Sequence, residues 1–393
     1  MLNPVFILSG VRTAIGDYGG ALKDLAPCDL ASQVVQEAIR RSGLPAELFE
    51  QCVLGNVLHS EARDMYISRV AALNAGMAQG SRALTLNRLC GSGLQAVISA
   101  AQMIQLGDVV SAVAGGAESM SRAGYLLPSN RWGKRMGDSL LIDMLTGVLT
   151  DPFGNGHMGV TAENVGRSFG IARAEQDALA LESHRRAARA SAEGRFDEQI
   201  LPLQTHPKKP EQLFRRDEHV REHLQLGDLA KARPVFESDG TVTAGNASSL
   251  NDGAAALTLV SGALLEQRGL TPMARIVAYG HAGVAPEIMG MGPVGAVQQA
   301  LQRAQLSLAD IDVVESNEAF AAQACAVSQA LKIPAEKVNP NGGAIALGHP
   351  IGATGAIILI KAIYELQRTG GRYALVTMCI GGGQGIALIV ERE

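Results

Sequence analysis

The stretch Thr-Leu-Asn-Arg-Leu-Cys-Gly-Ser-Gly-Leu-Gln-Ala-Val-Ile, residues 85–98, places a turn of small residues between a short apolar segment and a helix. The turn begins at Cys90, and residues 94–106 have the composition of a helix. First-turn amides and the helix dipole stabilise a thiolate, so this position predicts an activated nucleophile with a lowered pKa. The alternative interpretation is a buried structural cysteine beside a tight turn. Residues elsewhere in the chain must decide between the two.

A diverged second copy of the same α/β pattern follows about 260 positions later. Asn56 and Asn317 end corresponding strands, and the turn at Cys90 corresponds to the turn at His349. The alternation of strands and helices predicts largely parallel sheets that are covered by helices. Because matching turns of two such halves face each other at the C-terminal ends of the strands, Cys90 and His349 are expected to converge.

Hydrophobic periodicity gives the approximate positions of the regular elements. Strands are predicted near residues 5–9, 51–56, 109–114, 274–279, 313–317 and 373–378. Helices are predicted near residues 29–41, 64–75, 94–106, 174–192, 294–304 and 318–331. Residues 117–250 have no counterpart in the second copy, so they are predicted to be an insertion of the kind that often builds a substrate site.

The composition limits the class of protein. With 393 residues, 47% of them hydrophobic and 18% charged, the chain can bury large cores in two or three domains. A net charge of −4 and few aromatic residues argue against a nucleic-acid-binding surface. The five cysteines form no CxxC pair, which is typical of a reducing compartment. We find no signal peptide and no spanning segment, so a cytoplasmic protein without a membrane partner is expected.

Four residues of the second copy are candidates to act with Cys90. The imidazole of His349 could take the thiol proton. Cys379 ends a buried strand just before a glycine run and could serve as a proton donor and acceptor. Asn317 could orient a water molecule or donate to an oxyanion, and the backbone amides of Cys90 and Gly381 could form a second oxyanion hole.

Six motifs within residues 12–385 resemble those of the thiolase family, and within it those of bacterial acetyl-CoA acetyltransferases and broad-range β-ketothiolases. Any one motif would be a weak signal, but together they are very specific. They are Asn-Arg-Leu-Cys-Gly-Ser-Gly (87–93), Ala-Gly-Gly-Ala-Glu-Ser-Met (114–120), Gly-His-Met-Gly-Val-Thr-Ala-Glu-Asn (156–164), Asn-Glu-Ala-Phe (317–320), Gly-His-Pro-Ile-Gly-Ala-Thr-Gly (348–355) and Cys-Ile-Gly-Gly-Gly-Gln-Gly (379–385).

The resemblance implies a duplicated α/β thiolase fold, with two α/β halves in α-β-α-β-α layers and an inserted loop domain. Residues 1–120 and 248–270 would form the N-terminal half, and residues 271–393 the C-terminal half. Residues 121–247 would form the loop domain that binds substrate and coenzyme A.

The same resemblance implies an acetyl-CoA C-acetyltransferase, or β-ketothiolase, with an S-acyl intermediate on Cys90. It would catalyse the reversible Claisen condensation of two acyl-CoA molecules, or the CoA-dependent thiolysis of a 3-ketoacyl-CoA. His349 would activate Cys90, and Cys379 would be the acid and base. Asn317 and His349 would frame one oxyanion hole, and the amides of Cys90 and Gly381 the other.

The family pattern also implies a set of substrate-binding residues, no metal, and no cofactor other than coenzyme A as substrate or product. The residues that would contact the acyl group or coenzyme A are Leu149, His157, Met158, Arg221, Phe236, Ala244, Ser248, Met289, Ala319 and Phe320. Family members are commonly homotetramers, dimers of dimers that are joined by the loop around residues 122–140. Trp132 and Met136 in that loop are consistent with such an assembly.

One residue departs from the family pattern. Ser249 stands where thiolases usually have glycine, and a side chain there is expected to narrow the tunnel or to change its hydrogen bonding. The coenzyme contact at the adjacent Ser248 is therefore less secure.

Several other functions remain open. A thiolase for longer or carboxylated 3-ketoacyl-CoAs would show nearly the same motifs. A decarboxylating condensing enzyme would be expected to show a second catalytic histidine. A non-catalytic acyl-CoA-binding relative would be expected to lack one of Cys90, His349 and Cys379.

His219-Val-Arg-Glu-His223 matches a zinc pattern, but it lies in a charged run and is interpreted as a solvated loop.

Overall fold

The chain folds into a mixed α/β structure in which each copy of the repeated pattern supplies one half of a large sheet. The computed structural model describes residues 3–205 and 211–393. The elements up to residue 119 are β1 (Val5–Thr13), β2 (Gly16–Asp17), α1 (Pro27–Ser42), β3 (Gln51–Gly55), α2 (Ile67–Asn74), β4 (Arg82–Leu86), α3 (Ser92–Leu106) and β5 (Ser111–Ser119).

The region between the two copies contains short strands and four helices among its described residues. These elements are β6 (Tyr125–Leu126), β7 (Ile142–Asp143), α4 (Met144–Val148), α5 (Met158–Phe169), α6 (Arg173–Ala192), β8 (Ile200–Leu201), β9 (Leu203–Gln204), β10 (Leu213–Phe214) and α7 (Leu226–Ala230). Although this region is inserted after the first copy, its helices α5 and α6 pack against helices of the second copy.

The remaining elements complete both halves of the sheet. They are β11 (Asn251–Ser261), α8 (Gly262–Arg268), β12 (Ala274–Gly283), α9 (Gly292–Ala304), β13 (Val313–Ser316), α10 (Ala321–Leu331), α11 (Ala344–Leu347), α12 (Thr354–Thr369), β14 (Tyr373–Ile380) and β15 (Gln384–Arg392). All the predicted strands and helices occur, with ends that differ by a few residues. The strands β11 and β15 were not predicted.

The strand order is β13-β14-β15-β12-β1-β11-β5-β3-β4, and the two halves meet where β1 pairs with β12. The expectation of largely parallel sheets is wrong. The pairs β3–β4, β3–β5 and β13–β14 are parallel, whereas β11 and β15 run antiparallel to both of their neighbours. Between β14 and β15 only three residues form the turn, and Gly382 and Gly383 have φ of +80° and +88°. So short a turn permits only an antiparallel return.

The layered arrangement that was predicted is confirmed. Helices α3 and α12 pack against each other between the two halves of the sheet, and the largest apolar core surrounds them. Helices α1 and α2 cover the outer face of the first half, and α9 and α10 cover that of the second. Among the described residues, no helix is both long and apolar enough to cross a membrane.

Glycines at the start of both central helices let the two backbones approach closely. A Cβ added at Gly355 would lie 2.3 Å from the backbone nitrogen of Leu94. A Cβ at Gly93 would lie 2.9 Å from the backbone nitrogen of Ala356. Because α3 and α12 touch at their first turns, the turns that precede them, at Cys90 and His349, are brought to one place.

We therefore expect Gly355→Ala to destabilise the fold by about 1–3 kcal/mol or more, since the clash is with backbone rather than with a movable side chain. The midpoint of thermal unfolding should fall clearly. Gly227→Ala is the matched control, because Gly227 also lies in a helix and its added Cβ would meet nothing within 4 Å. Equal midpoints for the two variants would contradict this account of the helix contact.

Candidate active site

A cavity of about 440 Å³ lies at the end of the molecule where α3 and α12 begin, and residues of both halves and of the inserted region line it. Thirteen of the fifteen residues predicted for the site line this cavity. They are Cys90, Leu149, His157, Met158, Phe236, Ala244, Ser248, Met289, Ala319, Phe320, His349, Cys379 and Gly381. The turns of the two copies therefore converge, as the repeat predicted.

The turn that presents Cys90 is rigid and strained. Leu89 has a left-handed backbone with φ of 49°, which costs free energy for a residue with a side chain. The side chains of Asn87 and Ser92 hold Leu89 in this backbone conformation. Asn87 Oδ1 accepts from the Leu89 amide at 2.9 Å, and the Ser92 hydroxyl donates to the Leu89 carbonyl oxygen at 2.7 Å. The helix α3 begins directly after the turn, so Cys90 projects at the helix N-terminus.

The predicted lowering of the Cys90 pKa is wrong. Burial raises the pKa of the thiol to about 11, and the backbone amides of Gly381 and of Cys90 itself only oppose this shift. An apolar surrounding disfavours the thiolate more than two amide dipoles stabilise it. The free protein therefore contains a neutral thiol at pH 7, and a base must remove its proton when the sulfur reacts.

His349 can be that base, because its imidazole is neutral. Burial lowers its pKa to about 4, and the residue is only 5% exposed. Three contacts fix its position: the Asn251 side chain accepts from its backbone amide at 2.7 Å, Nδ1 lies 2.7 Å from the Thr354 hydroxyl, and Nε2 lies 3.4 Å from Asn317 Nδ2. A neutral ring with a fixed orientation suits a general base.

Cys379 lies near the end of β14, on the same cavity wall as Gly381. Cys379 is 1% exposed. Burial raises the pKa of its thiol, and repulsion from the charged form of Cys90 raises this pKa further. The two sulfurs are thus close enough to influence each other, and both are protonated in the free protein. A thiol of this kind can give its proton to a developing carbanion.

Two predicted residues do not line the cavity. Asn317 is buried behind the imidazole of His349, which it contacts through its side-chain amide. Arg221 is exposed, and its backbone amide donates to His184 Nδ1 at 3.1 Å. The segment that carries Arg221 is anchored to β1 by the buried ion pair between Arg12 and Asp217.

In the zinc-like pattern, His219 contacts Asp17 and His223 lies in an exposed turn, so no helix aligns the two rings.

Aromatic rings form one wall of the cavity. His157 stacks on Phe236 with ring centroids 4.6 Å apart, and Phe236 meets the edge of Phe320 at 6.4 Å. His157 Nδ1 accepts the backbone amide of Gly159 at 3.0 Å, so the ring hydrogen is on Nε2. Ser249, the departure from the family pattern, also lines the cavity, and its hydroxyl donates to Asn251 Oδ1 at 2.9 Å.

Sequence reasoning missed several residues of the cavity and of its support. The additional apolar lining residues include Leu89, Met120, Val148, Leu250 and Ile351. Leu89, Met120 and Ile351 lie within the quoted motifs but were not singled out, whereas Val148 and Leu250 lie outside the six motifs. The buried Glu118 lies within a motif but was not singled out. It accepts from the backbone amides of residues 57, 58 and 352 and so joins the two halves beneath the His349 turn.

Alkylation of the free protein should begin at Cys90. Its thiol pKa is about 11, whereas burial raises the pKa of Cys28, Cys52 and Cys325 to about 12 and that of Cys379 further. Cys90 also faces the open cavity. Peptide mapping after brief iodoacetamide treatment should find it modified first. The rate should rise as the pH increases from 7 to 10, since the thiolate fraction is still growing there. First modification of Cys325 would contradict this order.

Comparisons with known proteins identify relatives over the whole chain. Residues 5–263 match the family model of the thiolase N-terminal domain, and residues 270–392 match that of the thiolase C-terminal domain. The chain is 58% identical to beta-ketothiolase BktB of Cupriavidus necator, with all of both chains covered. It is 47% identical to the acetyl-CoA acetyltransferase of Escherichia coli over 98% of each chain.

Solved structures with the same fold come from a bacterium and from human mitochondria. The crystal structure of the Bacillus anthracis acetyl-CoA acetyltransferase has a TM-score of 0.97 and 44% identity, covering 100% of this chain and 99% of the other. The human mitochondrial 3-ketoacyl-CoA thiolase in complex with CoA has a TM-score of 0.97 and 42% identity, covering 100% of this chain and 98% of the other.

Proposed function

Because this chain belongs to the thiolase family and is an acyltransferase, we propose that it acts as an acetyl-CoA C-acetyltransferase with Cys90 as the acyl carrier. It joins two acyl-CoA molecules in a reversible Claisen condensation and cleaves 3-ketoacyl-CoA with coenzyme A in the opposite direction. The observation that carries this proposal is the single cavity shared by Cys90, His349 and Cys379. All three side chains are present, which disfavours a non-catalytic binding protein.

In thiolysis, the first step forms a bond between Cys90 and the 3-keto carbon. His349 takes the thiol proton, which the raised pKa of Cys90 makes necessary. The tetrahedral oxyanion is held by the amides of Cys90 and Gly381, which are directed at the sulfur in the free protein. These donors need no reorganisation, since the turn at Leu89 and the glycine turn after β14 fix them beforehand.

The second step breaks the bond between the carbonyl carbon and the α-carbon. The departing acetyl-CoA enolate takes the proton of Cys379, whose thiol is kept protonated by burial. The enolate oxygen is held by His349, which now carries a proton on Nε2, and by a water molecule that the side-chain amide of Asn317 orients. Cys379 then removes the proton from incoming coenzyme A, whose sulfur displaces the acyl group from Cys90. The released Cys90 sulfur takes its proton back from His349. Condensation follows the same steps in reverse.

Coenzyme A lies, in this proposal, along the mostly apolar cavity from its mouth to the sulfurs. Ser248 and Ala319 lie on its wall with the aromatic rings. Arg221 is exposed, and its proposed role is to contact the nucleotide phosphates. Residues 121–247 serve as the substrate-binding loop domain, since they supply Leu149, Phe236 and their neighbours to the wall. No metal or further cofactor takes part in the proposed steps.

A homotetramer is proposed for the assembled enzyme, and the cytoplasm for its location. The support for the assembly is the loop around residues 122–140, where Trp132 is 92% exposed and Met136 is 88% exposed. Large apolar side chains so exposed are typical of protein–protein contacts.

The proposal is tested with acetoacetyl-CoA and coenzyme A as substrates. We expect loss of the 3-ketoacyl thioester and formation of two acetyl-CoA per turnover. A panel of 3-ketoacyl-CoAs of graded length and with carboxylated chains separates the short-chain enzyme from the longer-chain alternative by their kcat/KM values. Tight binding of coenzyme A without any thiolysis would overturn the proposal in favour of a binding protein.

A further inference from the structure

Within residues 3–205 and 211–393, the ring nitrogen Nδ1 of His349 has a single hydrogen-bond partner, the hydroxyl of Thr354 at 2.7 Å. This hydroxyl donates its hydrogen to the carbonyl oxygen of Pro350 at 2.9 Å. A hydroxyl has one hydrogen, so the two contacts are satisfied together only when the hydroxyl accepts from the imidazole. In that arrangement Nδ1 of the neutral ring carries the hydrogen. His349 is 5% exposed and Thr354 is 2% exposed, which keeps water from competing for this contact.

The opposite ring nitrogen is consequently an acceptor. With the hydrogen on Nδ1, Nε2 carries a lone pair, and its one side-chain contact among the described residues is the donor amide of Asn317 at 3.4 Å. Nε2 can thus receive a proton from the cavity that also contains the Cys90 thiol. In the other neutral tautomer Nε2–H could not accept a proton, and the lone pair on Nδ1 would face the hydroxyl oxygen of Thr354.

We propose that Thr354 is a positioning residue that fixes the neutral tautomer of His349 with Nε2 ready to take the Cys90 proton. This inference rests on the proposed role of His349 as the base for Cys90. After the proton transfer both ring nitrogens carry hydrogen, and Nδ1–H still donates to Thr354. The same contact therefore serves the neutral ring and the imidazolium, and no side chain needs to move between them.

The fold holds both ends of this contact rigidly. Thr354 is the first residue of α12, whose first turn packs closely on α3 at Gly355. The His349 end is held separately, by Asn251 at its backbone amide and by Glu118 at the amide of Gly352. Loss of the Thr354 hydroxyl should therefore change the protonation of the ring without releasing the turn.

The test compares Thr354→Val, which has nearly the same shape without the hydroxyl, with Thr354→Ser, which retains it. Acylation is measured as coenzyme A release in a single turnover with acetyl-CoA. Thr354→Val should acylate about 10- to 100-fold more slowly, with KM nearly unchanged, because general-base catalysis is impaired and binding is not. Thr354→Ser should remain close to wild type. Thr258→Val controls for the loss of a fully buried threonine hydroxyl elsewhere, one that contacts Ser9.

A wild-type rate in Thr354→Val, or equal losses in the valine and serine variants, would overturn the inference. A second readout does not depend on activity or on the folding of the Thr354 variants. In 15N-histidine NMR of the wild-type protein, with His349 assigned by its absence from His349→Asn, Nδ1 should be protonated and Nε2 not. The reverse assignment would overturn the inference even in an active enzyme. Absence of any acyl transfer by the wild-type protein would instead overturn the proposed function.

Discussion

Cys90→Ala is expected to lower turnover in both directions by at least about 10⁴-fold, because the acyl chain loses its carrier. The other thiol of the cavity, Cys379, is 1% exposed and is assigned to proton transfer. Without the sulfur, the amides of Cys90 and Gly381 and the base His349 remain, but they have no nucleophile to activate. Binding of coenzyme A should be retained, since the cavity wall keeps its other residues. Steady-state thiolysis of acetoacetyl-CoA, together with coenzyme A titration, measures both quantities.

Cys325→Ala is the appropriate control, because Cys325 is also partly exposed but lies away from the cavity. It should turn over at the wild-type rate. If Cys90→Ala kept even a few per cent of wild-type activity, the acyl group would have to pass through another residue or directly between substrates. Either outcome would refute the nucleophile assignment.

Cys379→Ala is expected to separate the two half-reactions. Acyl transfer from acetyl-CoA to Cys90 needs His349 and the amide donors, so it should proceed at close to the normal rate. Condensation should fall by about 10²- to 10⁴-fold, the usual contribution of a positioned acid or base, since nothing else would remove the α-proton of the second acetyl group. Rapid-quench measurement of the acyl enzyme and of acetoacetyl-CoA follows the two steps separately.

Cys52→Ala serves as the control for this variant, because Cys52 is likewise a buried strand cysteine and does not line the cavity. It should perform both steps. Near-normal condensation by Cys379→Ala would show that another group moves the proton. Loss of acylation and condensation together would indicate that Cys379 supports the cavity rather than acting as an acid and base.

Much of the fold could be predicted because the pattern occurs twice. Each copy has an asparagine at a strand end and a small-residue turn before an apolar helix, so Cys90 and His349 could be placed together without any coordinates. The strand β11 follows the inserted region, and its run of small buried residues gave no alternation to detect. The strand β15 was missed because the glycine run before it was interpreted only as a candidate loop of the site.

The electrostatics of the site could not be predicted from the local sequence. A cysteine at a helix N-terminus predicts a lowered pKa, but the burial that raises it comes from residues far away in the chain, such as Met120 and Ile351, whose apolar cluster Cys90 packs against. The role of Thr354 was equally hidden. It could be recognised only when the structure placed its hydroxyl within hydrogen-bond distance of both His349 Nδ1 and the Pro350 carbonyl oxygen.

The most direct test of the central claim is peptide mapping of the wild-type enzyme after brief mixing with acetyl-CoA and an acid quench. The account predicts one acetyl group, located on the peptide that contains Cys90, and its loss when coenzyme A is added before the quench. An acetyl group on Cys379 or on any other residue, or rapid turnover with no covalent adduct at all, would contradict it.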